Sequence, residues 1–155
     1  MAETVSCGGV VIHKGRVLLL YKNQSRKYTG WVLPKGTMEG KENLRQTAVR
    51  EVKEEAKVFA KILKYLGKTQ YTFRGAMDTV EKTVHWYLMS TGSPYCSPQQ
   101  EENFSDAGFY KKHEAYHLLK FQDEKQIILQ AYDQYEILRK KAERNKLARR
   151  NNNKN

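Results

Sequence analysis

Three glutamates in the first half of the chain have the spacing of a metal site. Glu51, Glu54 and Glu55 stand at positions i, i+3 and i+4, so in a helix their carboxylates leave the same face. Like charges at this spacing repel each other by about a few tenths of a kcal/mol per pair. A hard divalent cation removes this repulsion, because carboxylate oxygens are its preferred ligands. The pattern therefore predicts a helix with one face that holds metal.

The element that carries these acids is predicted as a helix from about Lys41 to Ala56. Arg50 precedes the first acid and can pair with Glu54 at i+4, which would orient the carboxylates. The opposite face is apolar at helical spacing. It consists of Leu44, Ala48 and Val52, with Val49 beside them. One side of the helix can thus pack on a sheet while the other faces the metal.

The segment before the helix is expected to bring a lysine to the acidic face. Pro34 stiffens the approach and Gly36 allows a sharp backbone turn, so Lys35 arrives beside the metal face. Glu42 is expected to open the helix, where an acid suits the helix dipole.

Runs rich in β-branched and aromatic residues predict strands around this helix. The predicted strands are residues 4–13, 17–21, 80–89 and 106–110, with 59–73 as one long strand or two. The predicted loops are 23–30 and 92–103, and the later helices are 114–119 and 123–138. Gly8 and Gly9 inside the first strand indicate a bulge or a close backbone approach. This order of elements favours an α/β fold, a mixed sheet with helices on both faces.

Composition bounds the class of protein. A chain of 155 residues with 39% hydrophobic and 29% charged residues is expected to be globular and of one domain. No apolar run approaches the ~20 residues of a membrane span, and the first residues do not read as a signal peptide. Cys7 and Cys96 fit no metal or redox spacing, so we expect reduced thiols in a cytoplasmic protein.

The net charge of +11 favours polyanionic partners such as polyphosphates or nucleic acid. Residues 124–155 carry nine basic and four acidic side chains. We divide the chain into a catalytic domain, residues 1–139, and a basic tail, residues 140–155, which is expected to be disordered and to serve solubility.

Taken together, residues 36–58 read G-x5-E-x7-R-E-V-x-E-E. This resembles the Nudix box, the signature of hydrolases that cleave a nucleoside diphosphate linked to another group. The resemblance implies an α/β/α sandwich with a mixed sheet and a metal-dependent hydrolase of phosphoanhydride bonds in nucleoside polyphosphates. The family has a glycine where Lys57 stands. A lysine there costs roughly 1 kcal/mol if the backbone is unchanged, and the shape of that turn is in question.

The resemblance also implies roles for single residues. The implied metal ligands are Glu51, Glu54, Glu55 and the Gly36 carbonyl, for Mg²⁺ or for Mn²⁺ as a substitute. Glu54 and Glu51 are candidate catalytic residues, with Arg50 as the group that orients them. Glu42 is implied to anchor the same network. Glu101 or Glu102 is a weaker candidate for an extra ligand or base.

Three further segments resemble the diadenosine tetraphosphate hydrolases within this family. They are W-x-L-P-K-G at 31–36, E-K-T-V-H-W-Y-L-M at 81–89 and H-L-L-K-F at 117–121. The likeness implies that Lys35 and Lys82 contact the polyphosphate and that Tyr71 stacks on adenine. Alternatively, Tyr71 is a core strand residue and Lys82 a solvated one.

Other functions stay open from the sequence. The substrate could instead be a 5′-triphosphate RNA end or an inositol pyrophosphate, or the chain could be a nucleic-acid-binding module with a relic box. His113–His117 spells the zinc protease motif H-E-x-x-H, with Glu136 as a third ligand, but three fixed residues recur easily by chance. A P-loop at Gly36–Glu42 is rejected, since its spacing is one residue short and Glu42 replaces Ser or Thr.

Overall fold

A computed structural model describes residues 2–154 of the chain. The elements are β1 (Ala2–His13), β2 (Arg16–Gln24), β3 (Tyr28–Val32), β4 (Lys35–Thr37), α1 (Leu44–Ala56), β5 (Lys61–Arg74), β6 (Thr79–Ser90), a 3₁₀ turn (Gln100–Glu102), β7 (Phe104–Lys111), α2 (Lys112–Leu118) and α3 (Gln122–Asn152). None of the helices within 2–154 is both long and apolar enough to cross a membrane. Cys7 and Cys96 are free thiols.

The strands form one mixed sheet of seven strands, ordered β3-β2-β1-β6-β5, with β4 paired to β1 and β7 paired to β2. β1 and β6 are parallel, in register from Ala2 opposite Val80 to Ile12 opposite Ser90. The other pairs are antiparallel. This mixed arrangement confirms the expected fold class.

Helices cover both faces of the sheet. Val11 and Leu18 on one face pack with Ala48 and Val52 of α1, while the other face packs against α2 and α3 through Ile128 and its neighbours. Val10 and Val11, adjacent in β1, are both fully buried, as expected for a central strand covered on two sides. The apolar stripe predicted for the acidic helix therefore does face the sheet.

Gly8 lies at a close backbone approach, as predicted. A Cβ at this position would lie 2.4 Å from the Pro34 carbonyl oxygen, and the next amide, Gly9 N–H, donates to that same oxygen at 3.2 Å. Glycine in β1 therefore lets the segment before β4 lie directly on the strand.

The predicted loop at 23–30 is wrong. β2 extends to Gln24 and β3 begins at Tyr28, so only residues 25–27 form the turn, with Arg26 at φ 72°. Strand pairing of Lys22 with Gly30 and Asn23 with Thr29 orders a polar segment whose composition alone indicates a loop.

Helix α1 starts at Leu44, three residues later than predicted. The Asn43 side chain accepts the Gln46 N–H at 2.8 Å, and the Gln46 side chain accepts the Asn43 N–H at 3.0 Å, a capping box that fixes the start. Glu42 therefore lies before the cap rather than in the first turn, which corrects the expected dipole role.

The expectation of disorder for the tail is wrong for residues 140–152, which continue α3 as a helix. Its Ala, Leu, Lys, Arg and Glu residues are good helix formers, and Arg139 pairs with Glu136 and Glu143 at 2.9 and 3.0 Å. Because the buried part of α3 supplies the nucleus, extension costs little. Residues 139–154 are nonetheless exposed throughout. Asn155 lies outside the described residues.

Candidate functional site

Arg50 is the centre of the polar network on α1. Its guanidinium donates to Glu51 Oε1 at 2.8 Å, to Glu54 Oε2 at 3.1 Å and to the Thr37 carbonyl at 3.0 Å. A second edge makes a two-point contact with Glu42, at 2.5 and 2.9 Å. The Arg50 hydrogen bonds lower the pKa of Glu42 to about 2. Glu42 and Arg50 thus hold the acidic face in place, a network that accounts for both residues' presence in the motif.

Glu51 lies against the backbone of Gly36. The side chain of Glu51 is buried, and a Cβ on Gly36 would lie 2.0 Å from its Cδ. Gly36 is held in β4 by pairing with Cys7 of β1. Burial raises the pKa of Glu51, while the Arg50 guanidinium opposes the rise. The absence of a side chain at position 36 is therefore what allows the carboxylate to sit there.

Glu55 connects α1 to the strand before it. Its Oε1 accepts the backbone N–H of Lys35 at 2.7 Å, and only 3% of the residue is exposed. Burial raises its pKa well above the ordinary range, and the neighbouring charges of Glu51 and Glu102 add to this. The same Glu102 charge, from the 3₁₀ turn, also raises the pKa of Glu51.

The four predicted metal ligands are thus brought to one place, where α1 meets β4. Their chemistry fits a hard divalent cation, with carboxylate oxygens beside a backbone that carries no side chain. Across residues 2–154, however, no three Asp, Glu, His or Cys side chains converge as a preformed metal site. Arg50 instead donates to Glu51 and Glu54, and the Lys35 backbone N–H donates to Glu55.

Lys57, which stands where the family has a glycine, ends α1 in a left-handed conformation. Its φ and ψ are 58° and 31°, the left-handed conformation, and its N–H donates to the Lys53 carbonyl at 2.9 Å. The turn after α1 therefore keeps the glycine geometry although a side chain is present, at a cost of about 1 kcal/mol.

Two adjoining cavities, of about 350 and 220 Å³, lie beside the acidic cluster. We call them the deep cavity and the basic cavity, and both are lined by Lys35, Tyr71 and Phe121. The basic cavity is also lined by Lys22, Lys82 and Glu55. The three residues predicted to bind substrate, Lys35, Tyr71 and Lys82, therefore lie together.

The strands explain how these residues meet. Tyr71 of β5 pairs directly with Lys82 of β6, and the Lys35 ammonium lies 5.6 Å from the centre of the Tyr71 ring. Tyr71 is 40% exposed rather than a core residue. Lys82 is half-buried, and burial together with the charges of Lys35 and Lys22 lowers its pKa. A cluster of three lysines of this kind attracts a polyanion.

Sequence reasoning missed several residues of the two cavities, among them Lys22, Tyr28, Phe121 and Glu124. The Tyr28 and Phe121 rings stack, with centroids 4.9 Å apart at 22°, and the Lys120 ammonium lies 5.7 Å from the centre of the Tyr28 ring. Phe121 belongs to the quoted H-L-L-K-F segment, which was a usable signal. Tyr28 sits in the stretch predicted as a loop, so its position depended on a strand that was not predicted.

Glu124, in the first turn of α3, is a buried acid at the wall of the deep cavity. Only 2% of it is exposed, its Oε1 accepts the Leu33 N–H at 2.7 Å, and its Oε2 has no hydrogen-bond partner among the described residues. Burial raises its pKa to about 7, and the Lys35 charge and the Leu33 hydrogen bond oppose the rise. In the sequence it is simply an acid near a helix start.

The H-E-x-x-H segment has a structural explanation. His113, Glu114 and His117 lie in α2, where Glu114 Oε1 accepts the Lys111 N–H at 3.3 Å as part of a capping box. Glu136, the suggested third ligand, instead pairs with Arg139. The side chains of residues 2–154 thus give no support to a zinc site here.

Most of the chain matches a known domain family. Residues 3–132 match the profile of the NUDIX domain. A Mycobacterium tuberculosis protein named mutator protein MutT4 is 39% identical over 88 residues, which are 57% of this chain and 31% of that protein. The match therefore spans less than a third of the length of that relative.

Solved structures share the fold at low identity. A MutT NUDIX hydrolase from Burkholderia pseudomallei has a TM-score of 0.68 at 18% identity, covering 84% of this chain and 98% of that one. The NUDIX domain of Shewanella oneidensis NrtR, complexed with ADP ribose, has a TM-score of 0.67 at 23% identity, covering 87% and 90%. A Caenorhabditis elegans Ap4A hydrolase binary complex has a TM-score of 0.66 at 19% identity, covering 85% and 96%.

Proposed function

The chain belongs to the Nudix family, and from this premise we propose that it is a metal-dependent pyrophosphohydrolase of nucleoside polyphosphates. Within this class we propose dinucleoside tetraphosphates as substrates. The proposal extends from the family to this chain through its own residues, which supply acids for a metal, cations for phosphates and aromatic rings for bases.

One observation carries the proposal. The basic cavity is lined at the same time by Glu55 of the acidic helix and by Lys22, Lys35 and Lys82. A polyphosphate bound by the three ammonium groups would therefore lie against the carboxylates of α1. Lysines are mobile point charges suited to phosphates, and holding the phosphates beside the acids provides the positioning on which hydrolysis depends.

The acids of α1 have a defined part in this chemistry. Glu51, Glu54, Glu55 and the Gly36 carbonyl would hold a divalent ion of the Mg²⁺ type, which when bound supplies an activated water and neutralises phosphate charge. Arg50 orients Glu51 and Glu54 through its hydrogen bonds. Glu55 holds α1 close to β4 by accepting the backbone N–H of Lys35. Glu54 is the most exposed of the three carboxylates.

The aromatic residues supply the nucleoside half of the proposal. Tyr71 is exposed beside Lys35 and Lys82, and stacking of a base on such a ring contributes ~1–3 kcal/mol. The stacked Tyr28 and Phe121 rings also line the basic cavity. Two aromatic surfaces in a cavity that also holds a lysine cluster suit a substrate with two bases joined by phosphates. A 5′-triphosphate RNA end or an inositol pyrophosphate uses fewer of these features.

The proposal is tested by product analysis on a panel of phosphoanhydrides. Diadenosine tetraphosphate, nucleoside triphosphates, 5′-triphosphate RNA and an inositol pyrophosphate are incubated with the protein and Mg²⁺ or Mn²⁺, and the products are separated chromatographically. The double variant Glu54→Gln/Glu55→Gln is expected to lose turnover about a hundredfold or more, whereas Glu143→Gln on the exposed part of α3 retains it. Hydrolysis of no substrate, or equal turnover by the double variant, contradicts the proposal.

A second variant separates nucleotides from other polyphosphates. Tyr71→Leu removes the proposed stacking ring, and Tyr95→Leu removes an exposed tyrosine outside both cavities. We expect Tyr71→Leu to lower kcat/KM on diadenosine tetraphosphate about tenfold or more and to leave inositol pyrophosphate turnover unchanged. An equal effect on both substrates would mean that Tyr71 does not contact a base.

A further inference from the structure

The deep cavity has the size and lining of a site for one flat ring. Its volume is about 350 Å³ and its walls include Trp86, Tyr71 and Phe121. It opens beside Lys35, which also lines the basic cavity. A nucleotide with its phosphates on the lysines would thus direct its base into this space. Ligand cavities of this kind are mainly apolar, with a few polar groups that fix specificity.

Glu124 is the polar group that the fold leaves unpaired at this wall. Its Oε1 is occupied by the Leu33 N–H, while its Oε2 is buried and has no partner among the described residues. Buried polar atoms almost always have a partner, so an exception calls for a specific explanation. Fold stability accounts for Oε1, which accepts the Leu33 N–H, but it does not account for Oε2, because a buried oxygen without a partner lowers stability.

We propose that Glu124 is a specificity-determining residue, whose Oε2 accepts a hydrogen bond from the exocyclic amino group of the substrate base. The inference rests on the proposed function, since it takes a nucleotide as the ligand. It goes further by naming the residue that discriminates between bases and the chemical group that is read. Adenine, with an amino group at its six position, fits this requirement, whereas hypoxanthine carries an oxygen there and would repel the carboxylate.

The charges around Glu124 are consistent with this role. Burial is the main reason that the pKa of Glu124 is raised to about 7, and the charge of Asp123 beside it on α3 adds to the rise. The charges of Lys35 on β4 and Lys22 on β2 oppose it. At pH 8 the group is therefore mainly a carboxylate and an acceptor. With Oε1 fixed by the Leu33 N–H, a glutamine at this position would turn its NH₂ group to where Oε2 stands, and would present a donor in place of an acceptor.

This exchange of acceptor for donor gives a sharp test at pH 8. The kcat/KM of the full chain is measured for diadenosine tetraphosphate and for diinosine tetraphosphate, which differ in the amino and oxo groups of the two bases. We expect the parent to prefer the adenine substrate about tenfold or more, as for a hydrogen bond to a charged group. In Glu124→Gln the preference is expected to disappear or invert. An unchanged preference in Glu124→Gln overturns the proposal.

A binding measurement tests the role of Glu124 independently of the hydrolysis reaction. Dissociation constants of ADP and IDP are measured by calorimetry without metal, for the parent, Glu124→Gln and Glu124→Asp. We expect the parent to prefer ADP, Glu124→Asp to retain that preference and Glu124→Gln to lose it. Should no substrate be hydrolysed while this binding pattern is found, the proposed function fails and the role of Glu124 stands. Equal ADP and IDP affinities in a parent that does hydrolyse nucleotides refute the role of Glu124 alone.

Discussion

A side chain at position 36 would collide with the carboxylate of Glu51, because a Cβ added to Gly36 would lie 2.0 Å from Glu51 Cδ. The two residues come from different elements, β4 and α1, and their backbone-to-carboxylate contact fixes how closely those elements approach. The position of the Glu51 carboxylate thus depends on the absence of a Cβ at residue 36.

Gly36→Ala should displace Glu51 and disable the site. A shift of about 1 Å in a positioned group costs about a hundredfold in rate, and crowding a packed site costs about 1–3 kcal/mol of stability. Steady-state kinetics and urea unfolding measure the two effects. Gly92→Ala, with open space around the added Cβ, is the matched control. Near-parent turnover of Gly36→Ala would show that Glu51 need not occupy its present position.

Glu42→Gln should destabilise the protein at neutral pH but not in acid. The Arg50 contact lowers the folded-state pKa of Glu42 to about 2 from an ordinary 4.5. A carboxylate whose pKa is depressed adds stability above its unfolded pKa and loses that stability as the pH falls from 4.5 to 2. Denaturant unfolding of parent and variant at pH 7, 4 and 2.5 should show a difference that shrinks towards pH 2.5. A difference that is constant with pH would contradict the ion-pair account.

Lys57→Gly should stabilise the fold by about 1 kcal/mol. The left-handed conformation of Lys57, with φ at 58°, costs a residue with a Cβ about 1–2 kcal/mol, and part of the gain is lost to the greater chain entropy of glycine when unfolded. Lys57→Ala is the control, since it removes the charge and keeps the Cβ, and we expect no gain from it. Thermal unfolding measures both. Equal stabilisation by alanine would assign the effect to the lysine charge instead.

Glu124→Gln should become more stable relative to the parent as the pH rises. The folded-state pKa of Glu124 is about 7, above the ordinary value, so the folded protein binds more protons between pH 4.5 and 7 and its stability falls across that window. The difference amounts to roughly 3 kcal/mol at most. Unfolding of parent, Glu124→Gln and Glu143→Gln at pH 4.5 and pH 8 tests this. No widening gap between parent and Glu124→Gln would mean that Glu124 stays charged.

Removal of residues 140–155 should leave both stability and nucleotide hydrolysis within error of the parent. The side chains from 140 to 154 are exposed, and the proposed site lies elsewhere. Substitutions at such exposed positions usually change stability by no more than ~0.5 kcal/mol, and none of these side chains supports the buried core. Unfolding and kinetics are paired with an RNA-binding measurement. Loss of RNA binding with hydrolysis absent in both forms would favour the nucleic-acid-binding alternative.

Local pattern was sufficient for the part of the site that lies on one element. Glu51, Glu54 and Glu55 share a helix face by spacing alone, and the apolar stripe behind them identified the face that packs on the sheet. The Arg50 pair with Glu54 also followed from spacing and is present at 3.1 Å. A helix makes such neighbours from consecutive sequence, so no knowledge of the tertiary fold was needed.

The cavities depend on contacts that local pattern does not contain. Tyr28 lies in β3, Tyr71 in β5 and Phe121 directly before α3. These residues line one cavity only because the tertiary fold brings the three segments together. Glu124 reads in the sequence as an ordinary acid near a helix start, and only its burial against Leu33 reveals an unpaired oxygen. The charged composition of the tail correctly indicated that it is exposed to solvent. It does not determine whether a helix that begins in the core continues into the tail, so the helical conformation was not predicted.

The parallel pairing of β1 with β6 has a consequence for how the chain is made. β1 begins at Ala2, and its partner ends only at Ser90, so the centre of the sheet cannot close until β6 has left the ribosome. Until then α1 has no completed sheet face on which to pack. Closure across so many residues is slow, and nascent chains interrupted before Ser90 should be the ones that need chaperones.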